Sequence, residues 1–349
     1  MDFIDFCYEC RSPYGEPVLA KLRIDGFLLG LVASMAIGLL VPARGDAANV
    51  LEWATKVAIA VLFFLYGTRL EPREALEGLK HWRLHTTVLA ATYVLFPLLG
   101  LAMRVLVPSV LTDELYIGML FLCLLPSTVQ SSIAFTSIAR GNVAAAVVSA
   151  SASNMLGILI TPLLVTLLMQ TTGGATVSAT SILEIVLQLL VPFVAGQVLR
   201  SKLRRLLSHT TLTKVVDRGS VYLVVYAAFS AGMAEHIWTG MKVSSIAAVI
   251  AVSVVLLAVV LSITAGMARL LHFDRADRIV VIFCGSKKSL ATGLPMATVL
   301  FAGHPVGLIV LPLMIFHQIQ LATCAALAGR WGRAAADDAA PSSPLSARA

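Results

Sequence analysis

Lys287 and Lys288 stand inside one of the most apolar stretches of the chain, Ile279-Val280-Val281-Ile282-Phe283-Cys284-Gly285-Ser286-Lys287-Lys288-Ser289-Leu290-Ala291-Thr292-Gly293-Leu294-Pro295. An ammonium group buried at membrane depth costs at least a few kcal/mol, so it is found there only with a polar cavity or a partner. Its chemical uses in such a place are to hold an anionic group, to exchange a proton, or to satisfy backbone carbonyls. Ser286 and Ser289 bracket the pair, with Gly285 and Gly293 close by. The simplest arrangement is a membrane-spanning helix interrupted at a polar site, which makes the chain a candidate transporter with both lysines at its centre.

A second interruption reads Pro126-Ser127-Thr128-Val129-Gln130-Ser131-Ser132, and the next apolar run carries Ser149, Ser151, Ser153 and Asn154. Ser149 and Ser153 are spaced i, i+4 and share one helix face. Any one of these serines is explained by close helix packing. Taken together with Gln130, Ser131, Ser132 and Asn154 they form a candidate site. Unwound backbone frees carbonyls that coordinate a cation, and half-helix N-termini present N–H groups to an anion. On a regular helix, adjacent side chains such as Lys287 and Lys288 point about 100° apart, so both enter one cavity only where the backbone is unwound. Lys288 is the better anion ligand of the two, with Lys287 free to snorkel or to bond backbone carbonyls. His317, beside Gln318 and Gln320, serves either as a proton relay with Lys288 or as a helix-to-helix hydrogen bond.

These residues must be positioned by membrane spans. Of 349 residues, 58% are hydrophobic and 13% charged, against about 25% charged in soluble domains. Ten apolar runs are candidate spans of a bilayer core of about 30 Å: residues 26–41, 55–70, 84–101, 115–138, 143–169, 182–199, 220–234, 244–270, 279–301 and 306–328. The class is therefore an all-α polytopic membrane protein, with the lipid bilayer as its first partner. The net charge of +7 does not signal nucleic acid. Sorted by loop, 20 of the 26 basic residues fall on one side and Arg44, Arg104 and Lys242 on the other, the remainder lying in spans. That asymmetry places both termini in the cytoplasm, in keeping with an even number of spans. The first ten residues carry Asp2, Asp5 and Glu9 rather than a basic leader, which argues against a cleavable signal. Cys7 and Cys10 form a lone CxxC without a second ligand pair.

The chain repeats weakly at an offset near 160 residues, with Gly38 matched by Gly196 and the Pro126 interruption matched by Gly285 to Ser289. Five spans per half is an odd number, so the second half enters the membrane inverted, and paired broken helices in inverted repeats point to a transporter's midplane site. The organisation that follows is a cytoplasmic N-terminal segment (1–24), a first repeat (25–170), a second repeat (180–329) and a disordered tail (330–349), Ala- and Ser-rich after Arg333. Basic residues between Arg200 and Arg218 read as an orientation signal in a connection. No GxSxG, HExxH or paired carboxylate lies within the spans, which excludes the common hydrolytic enzymes.

The segments Leu125–Ser132, Gly141–Ala146, Leu156–Leu164, Ala276–Leu290, Gly293–Met296 and Phe301–His304 resemble the bile acid:sodium symporter superfamily, solute carrier family 10, in particular its divergent seventh-member branch with bacterial relatives. The likeness covers about residues 24 to 332. It implies ten helices in two inverted five-helix repeats, with spans 1, 2, 6 and 7 as a panel and the rest as a core in which spans 4 and 9 cross where both unwind. It also implies a sodium site drawing on Gln130, Ser131 and Ser132 with Ser149, Ser153 and nearby Asn154. The family's bridging Glu and following Gln and Asn fall near Phe283, Lys287 and Lys288 here. Fixed positive charge there opposes a second sodium, and a lysine takes the ion's place.

The function that follows is secondary active transport of a small organic anion by alternating access at the crossing. Its substrate ligands would be Lys288, Lys287, Ser289, Ser286 and Asn154, with sodium or a proton as coupling ion and no other cofactor. The resemblance places the chain in a bacterial inner membrane. It also leaves open a non-transporting membrane regulator or partner-binding protein on the same fold, with a role in calcium balance. Flux through purified protein separates the two.

Overall fold

The computed structural model describes residues 26–69, 81–171, 186–207, 210–234 and 242–337. The N-terminal segment with its CxxC therefore lies outside the described residues, as does the tail beyond 337. Among the described residues every regular element is helical: α1 (Gly26–Leu40), α2 (Asp46–Arg69), α3 (Trp82–Leu106), α4 (Asp113–Leu124), α5 (Gln130–Ile138), α6 (Val143–Thr171), α7 (Val191–Leu207), α8 (Thr210–Ala234), α9 (Val243–Leu270), α10 (Arg275–Gly285), α11 (Leu290–Leu300) and α12 (Val306–Asp337). Five of them, α2, α3, α6, α9 and α12, are long and apolar enough to cross a membrane.

The interrupted pairs have local causes. Thr112 caps α4 by accepting from the Leu115 N–H, and α4 stops because proline disfavours helical backbone in the residue before it. Leu125, which precedes Pro126, is extended at φ −74°, ψ 156°. Asp274 caps α10 through the Asp277 N–H at 2.8 Å. After Gly285 the chain leaves the helix, and Ser289 starts α11 by accepting from the Thr292 N–H. Asn142 caps α6, accepting from the Ala145 N–H at 3.0 Å while donating to Asp277 Oδ1 at 2.9 Å.

Inside α3 the residues Ala91–Leu95 form a π-helical turn, and α7 is entered through another, Val186–Leu190. Each is followed two residues later by a proline, Pro97 and Pro192 respectively. A proline offers no N–H to the preceding turn, and the wider turn accommodates the loss.

Several helices outrun the apolar windows read from the sequence. The second span begins at Asp46 rather than 55, its charged start held by a Lys56–Glu52 ion pair at 2.7 Å across one turn. The basic stretch from 200 to 218, read as a connection between spans, is helical over its described residues, in α7 and α8. α12 continues to Asp337, so the tail expected to be disordered from 330 is helical over its first residues.

α2 packs along α7 and α1 along α8, while α12 lies against α4, α9 and α11. The glycines make the first two contacts possible. A Cβ on Gly67 would run into the Phe193 carbonyl and one on Gly196 into the Phe64 carbonyl, so α2 and α7 touch backbone to backbone. The main apolar core is built chiefly by α4, α11 and α12, including Met119, Leu120, Phe121, Leu294, Leu313 and Phe316.

Candidate functional site

The ends of the two interruptions are bonded to each other. The Ser289 N–H donates to the Pro126 carbonyl at 2.9 Å, and the Ser127 hydroxyl donates to the Cys284 carbonyl at 2.7 Å. Backbone that left its own helix is thus satisfied by the other interruption, as burial requires. The polar breaks at 125–129 and 286–289 lie together in the protein interior, with Ser127, Ser286, Lys287 and Lys288 fully buried.

Lys288 Nζ donates to the carbonyls of Leu125 at 2.7 Å, Cys123 at 2.9 Å and Thr92 at 3.0 Å. An ammonium has three N–H donors, so all are used. Leu125 and Cys123 belong to the C-terminal turn of α4, where the helix dipole is negative. The Thr92 carbonyl is available because the Phe96 N–H bonds Ala91 instead and Pro97 has no N–H. The Phe96 ring centroid lies 4.0 Å from Nζ and closes the site, a cation–π contact. The Lys288 peptide is held as well, with Gln320 accepting from its N–H at 3.0 Å and donating to its carbonyl at 2.9 Å.

Lys287 turns the other way, into the first turn of α5. Its Nζ donates to the Ser131 carbonyl at 2.8 Å and sits 3.7 Å from the Phe135 ring centroid and 5.4 Å from that of Phe283. Lys287 therefore keeps N–H groups that face aromatic rings rather than oxygen. Lys288, the better anion ligand in the sequence reading, is saturated by backbone carbonyls, whereas Lys287 bonds one carbonyl, as that reading allows, and retains further donors.

Ser131 and Ser132 share hydrogen bonds with the Thr128 hydroxyl. Ser149 bonds His85 Nδ1 at 2.7 Å, and Ser153 Oγ accepts from the Ser127 N–H at 3.1 Å. Asn154 Oδ1 accepts from Thr292 Oγ1 at 2.8 Å, linking α6 to α11. Ser289 bonds Thr292 within its cap. Ser286 Oγ is buried beside the Cys324 thiol without a well-formed hydrogen bond. Gln130 is exposed at the start of α5. His317 Nδ1 shares a 2.9 Å hydrogen bond with Gln320 Nε2, so this connection reaches the Lys288 peptide and not its ammonium. Ser131, Ser132, Ser149 and Ser153 thus each have a protein partner where α5 and α6 approach the two interruptions.

Thr92, Phe96, Phe135 and the pair of hydrogen bonds from Gln320 to the Lys288 peptide were not directly legible along the chain. Pro97 was the available signal for Thr92, since a proline inside a span frees a carbonyl one turn earlier. A shallow apolar groove of about 670 Å³ opens elsewhere, between Asn49, Trp53 and Val57 of α2 and Val216 and Ser220 of α8. It holds none of the residues around the two interruptions.

A profile of the SBF-like CPA transporter family matches residues 25–333. The chain is 50% identical over 317 residues to "Uncharacterized protein PA2026" of Pseudomonas aeruginosa, covering 90% of this chain and 95% of that protein. It is 48% identical over 312 residues to "Putative symporter YfeH" of Escherichia coli (strain K12), covering 89% and 93%. To "Sodium/bile acid cotransporter 7" of Rattus norvegicus it is 30% identical over 312 residues, covering 87% and 91%.

Proposed function

This chain belongs to the SBF-like CPA transporter family, and from that premise we propose that it is a secondary active transporter of a small organic anion, working by alternating access where the two interrupted spans meet. That it is an integral membrane transporter and not an enzyme follows from the family and its apolar helices. The observation that carries the finer statement is the bonding of one interruption to the other, Ser289 to Pro126 and Ser127 to Cys284, around two buried lysines. Irregular backbone survives at membrane depth where it is buried in protein or lines a cavity, and it is there that transporters place their sites.

Ten spans in two inverted halves form the scaffold when α4 with α5, and α10 with α11, are each taken as one interrupted span. Support comes from the glycine contacts. Gly38 of α1 abuts the Tyr226 carbonyl and Ser230 N–H of α8, while Gly196 of α7 abuts the Phe64 carbonyl and Thr68 N–H of α2. Exchanging span 1 with 6 and 2 with 7 turns one contact into the other, as an inverted repeat requires. The same pairings group α1, α2, α7 and α8 into the panel against which the core would move.

In this scheme Lys287, with donors to spare near the N-terminus of α5, supplies the charge for a carboxylate or sulfate, helped by the α5 dipole. Asn154, Ser286 and Ser289 lie around the same crossing. A coupling sodium would draw on Ser131, Ser132, Ser149 and Ser153, and a coupling proton on Lys287 or His317. The membrane would be the bacterial inner membrane with both termini cytoplasmic. The names of the relatives, a putative symporter and a sodium/bile acid cotransporter, agree in class with this proposal.

The test is uptake of labelled organic anions by purified protein in liposomes, with a sodium gradient, a proton gradient or neither. Accumulation that Lys287→Gln abolishes in a folded protein is the expected result. Absence of flux for every anion under all gradients would favour the regulator reading instead.

A further inference from the structure

The oxygens around Lys288 are put in place by features that do not involve the lysine. Pro126 ends α4 and exposes the Cys123 and Leu125 carbonyls, and Pro97 with the π-helical turn of α3 exposes that of Thr92. They converge at 2.7–3.0 Å on one point, covered by the Phe96 ring. No carboxylate joins them. The three N–H donors of the ammonium all go to backbone carbonyls. A positive charge stripped of water and balanced by carbonyl dipoles alone is how proteins hold a desolvated monovalent ion. The negative end of the α4 dipole adds to the same field. The lysine enters this cage from the other interruption, its stem buried throughout.

We propose that Lys288 is a tethered cation, its ammonium occupying a monovalent-cation site built by the carbonyls of Thr92, Cys123 and Leu125, so that no dissolved cation is taken up at this point of the cycle. This deepens the transport reading and rests on it for the word cycle. The occupancy of the site is tested apart from any flux. Removing the side chain while keeping the cage leaves a site for a small soluble cation. Filling the same space with an uncharged chain does not.

The experiment compares thermal unfolding of detergent-solubilised wild type, Lys288→Ala and Lys288→Met in chloride salts of choline, sodium, potassium and methylammonium at equal ionic strength. Lys288→Ala is expected to melt about 3 °C or more higher in at least one small-cation salt than in choline, saturably with concentration. Lys288→Met is expected to show no gain beyond that of wild type, which cancels any effect of a cation bound elsewhere. Lys288→Ser takes the place of the alanine variant if that protein does not fold in choline. A folded small-residue variant with no more cation dependence than Lys288→Met overturns the proposal. So does failure of both small-residue variants to fold in every salt, because the missing ligand was then supplied in the buffer. Wild type without uptake but with a cation-rescued variant removes the transport reading and keeps the tethered cation. Wild type with uptake but no rescue does the reverse.

Discussion

The ammonium of Lys288 and the carbonyl oxygen of Leu125 lie 2.7 Å apart, 163 residues apart in the chain. The bond joins the interruption between α10 and α11 to the end of α4. Leu125 can receive it because Pro126 holds its backbone extended and α4 has no further turn to use its carbonyl. A charged donor to a buried carbonyl contributes about 1.5–3 kcal/mol. Lys288 makes three such bonds, enough to make this residue a structural centre whatever the cargo.

Lys288→Arg keeps the charge but replaces a compact point donor with a planar fork. The site is fully buried and closed by Phe96, so the larger group overpacks it. A loss of about 1–3 kcal/mol is expected, read as a lower midpoint of thermal unfolding in detergent. An arginine variant as stable as wild type would mean the cage is roomier than its geometry.

Gln320→Leu removes both partners of the Lys288 peptide. Each buried group left unpaired costs about 1–3 kcal/mol, so the variant is expected among the most destabilised single changes in α12. Gln320→Glu keeps the acceptor for the N–H and loses the donor to the carbonyl, placing an unpaired charge there. It is expected to melt below wild type too. The same melting assay checks both.

Gly196→Ala sets a methyl group against the Phe64 carbonyl, and Gly67→Ala sets one against that of Phe193. Neither obstacle is a flexible side chain, so α2 and α7 must separate. Each variant is expected to lose more than about 2 kcal/mol. Since both press on one contact, the double variant is expected to cost less than the two singles combined, a non-additivity that a double-mutant cycle measures directly.

Asn142→Ala deletes the cap of α6 and its bond to Asp277 on α10. A lost cap costs about 0.5–2 kcal/mol. Asn142→Asp is expected to keep the cap while facing the Asp277 carboxylate, and so to recover only part of the stability. Equal melting of all three proteins would deny the cap its role.

Much of this protein was written locally. Apolar runs set the class, because backbone at membrane depth must satisfy itself within helices. Pro126 and the cluster Ser286 to Ser289 marked both interruptions, since proline and capping hydroxyls act on neighbouring residues. Helix ends at Asp46, Leu207 and Asp337 were missed because hydropathy registers transfer into lipid, whereas a helix runs on into water wherever its charged residues pair or stay solvated. The division between the lysines was decided by tertiary structure alone. Helical periodicity assigns directions only along an unbroken axis, and at 286–289 there is none. Where each ammonium points depends on which carbonyls other spans leave unpaired. Those of Thr92, Cys123, Leu125 and Ser131 come from residues more than 150 positions away, beyond the reach of any pattern along the chain.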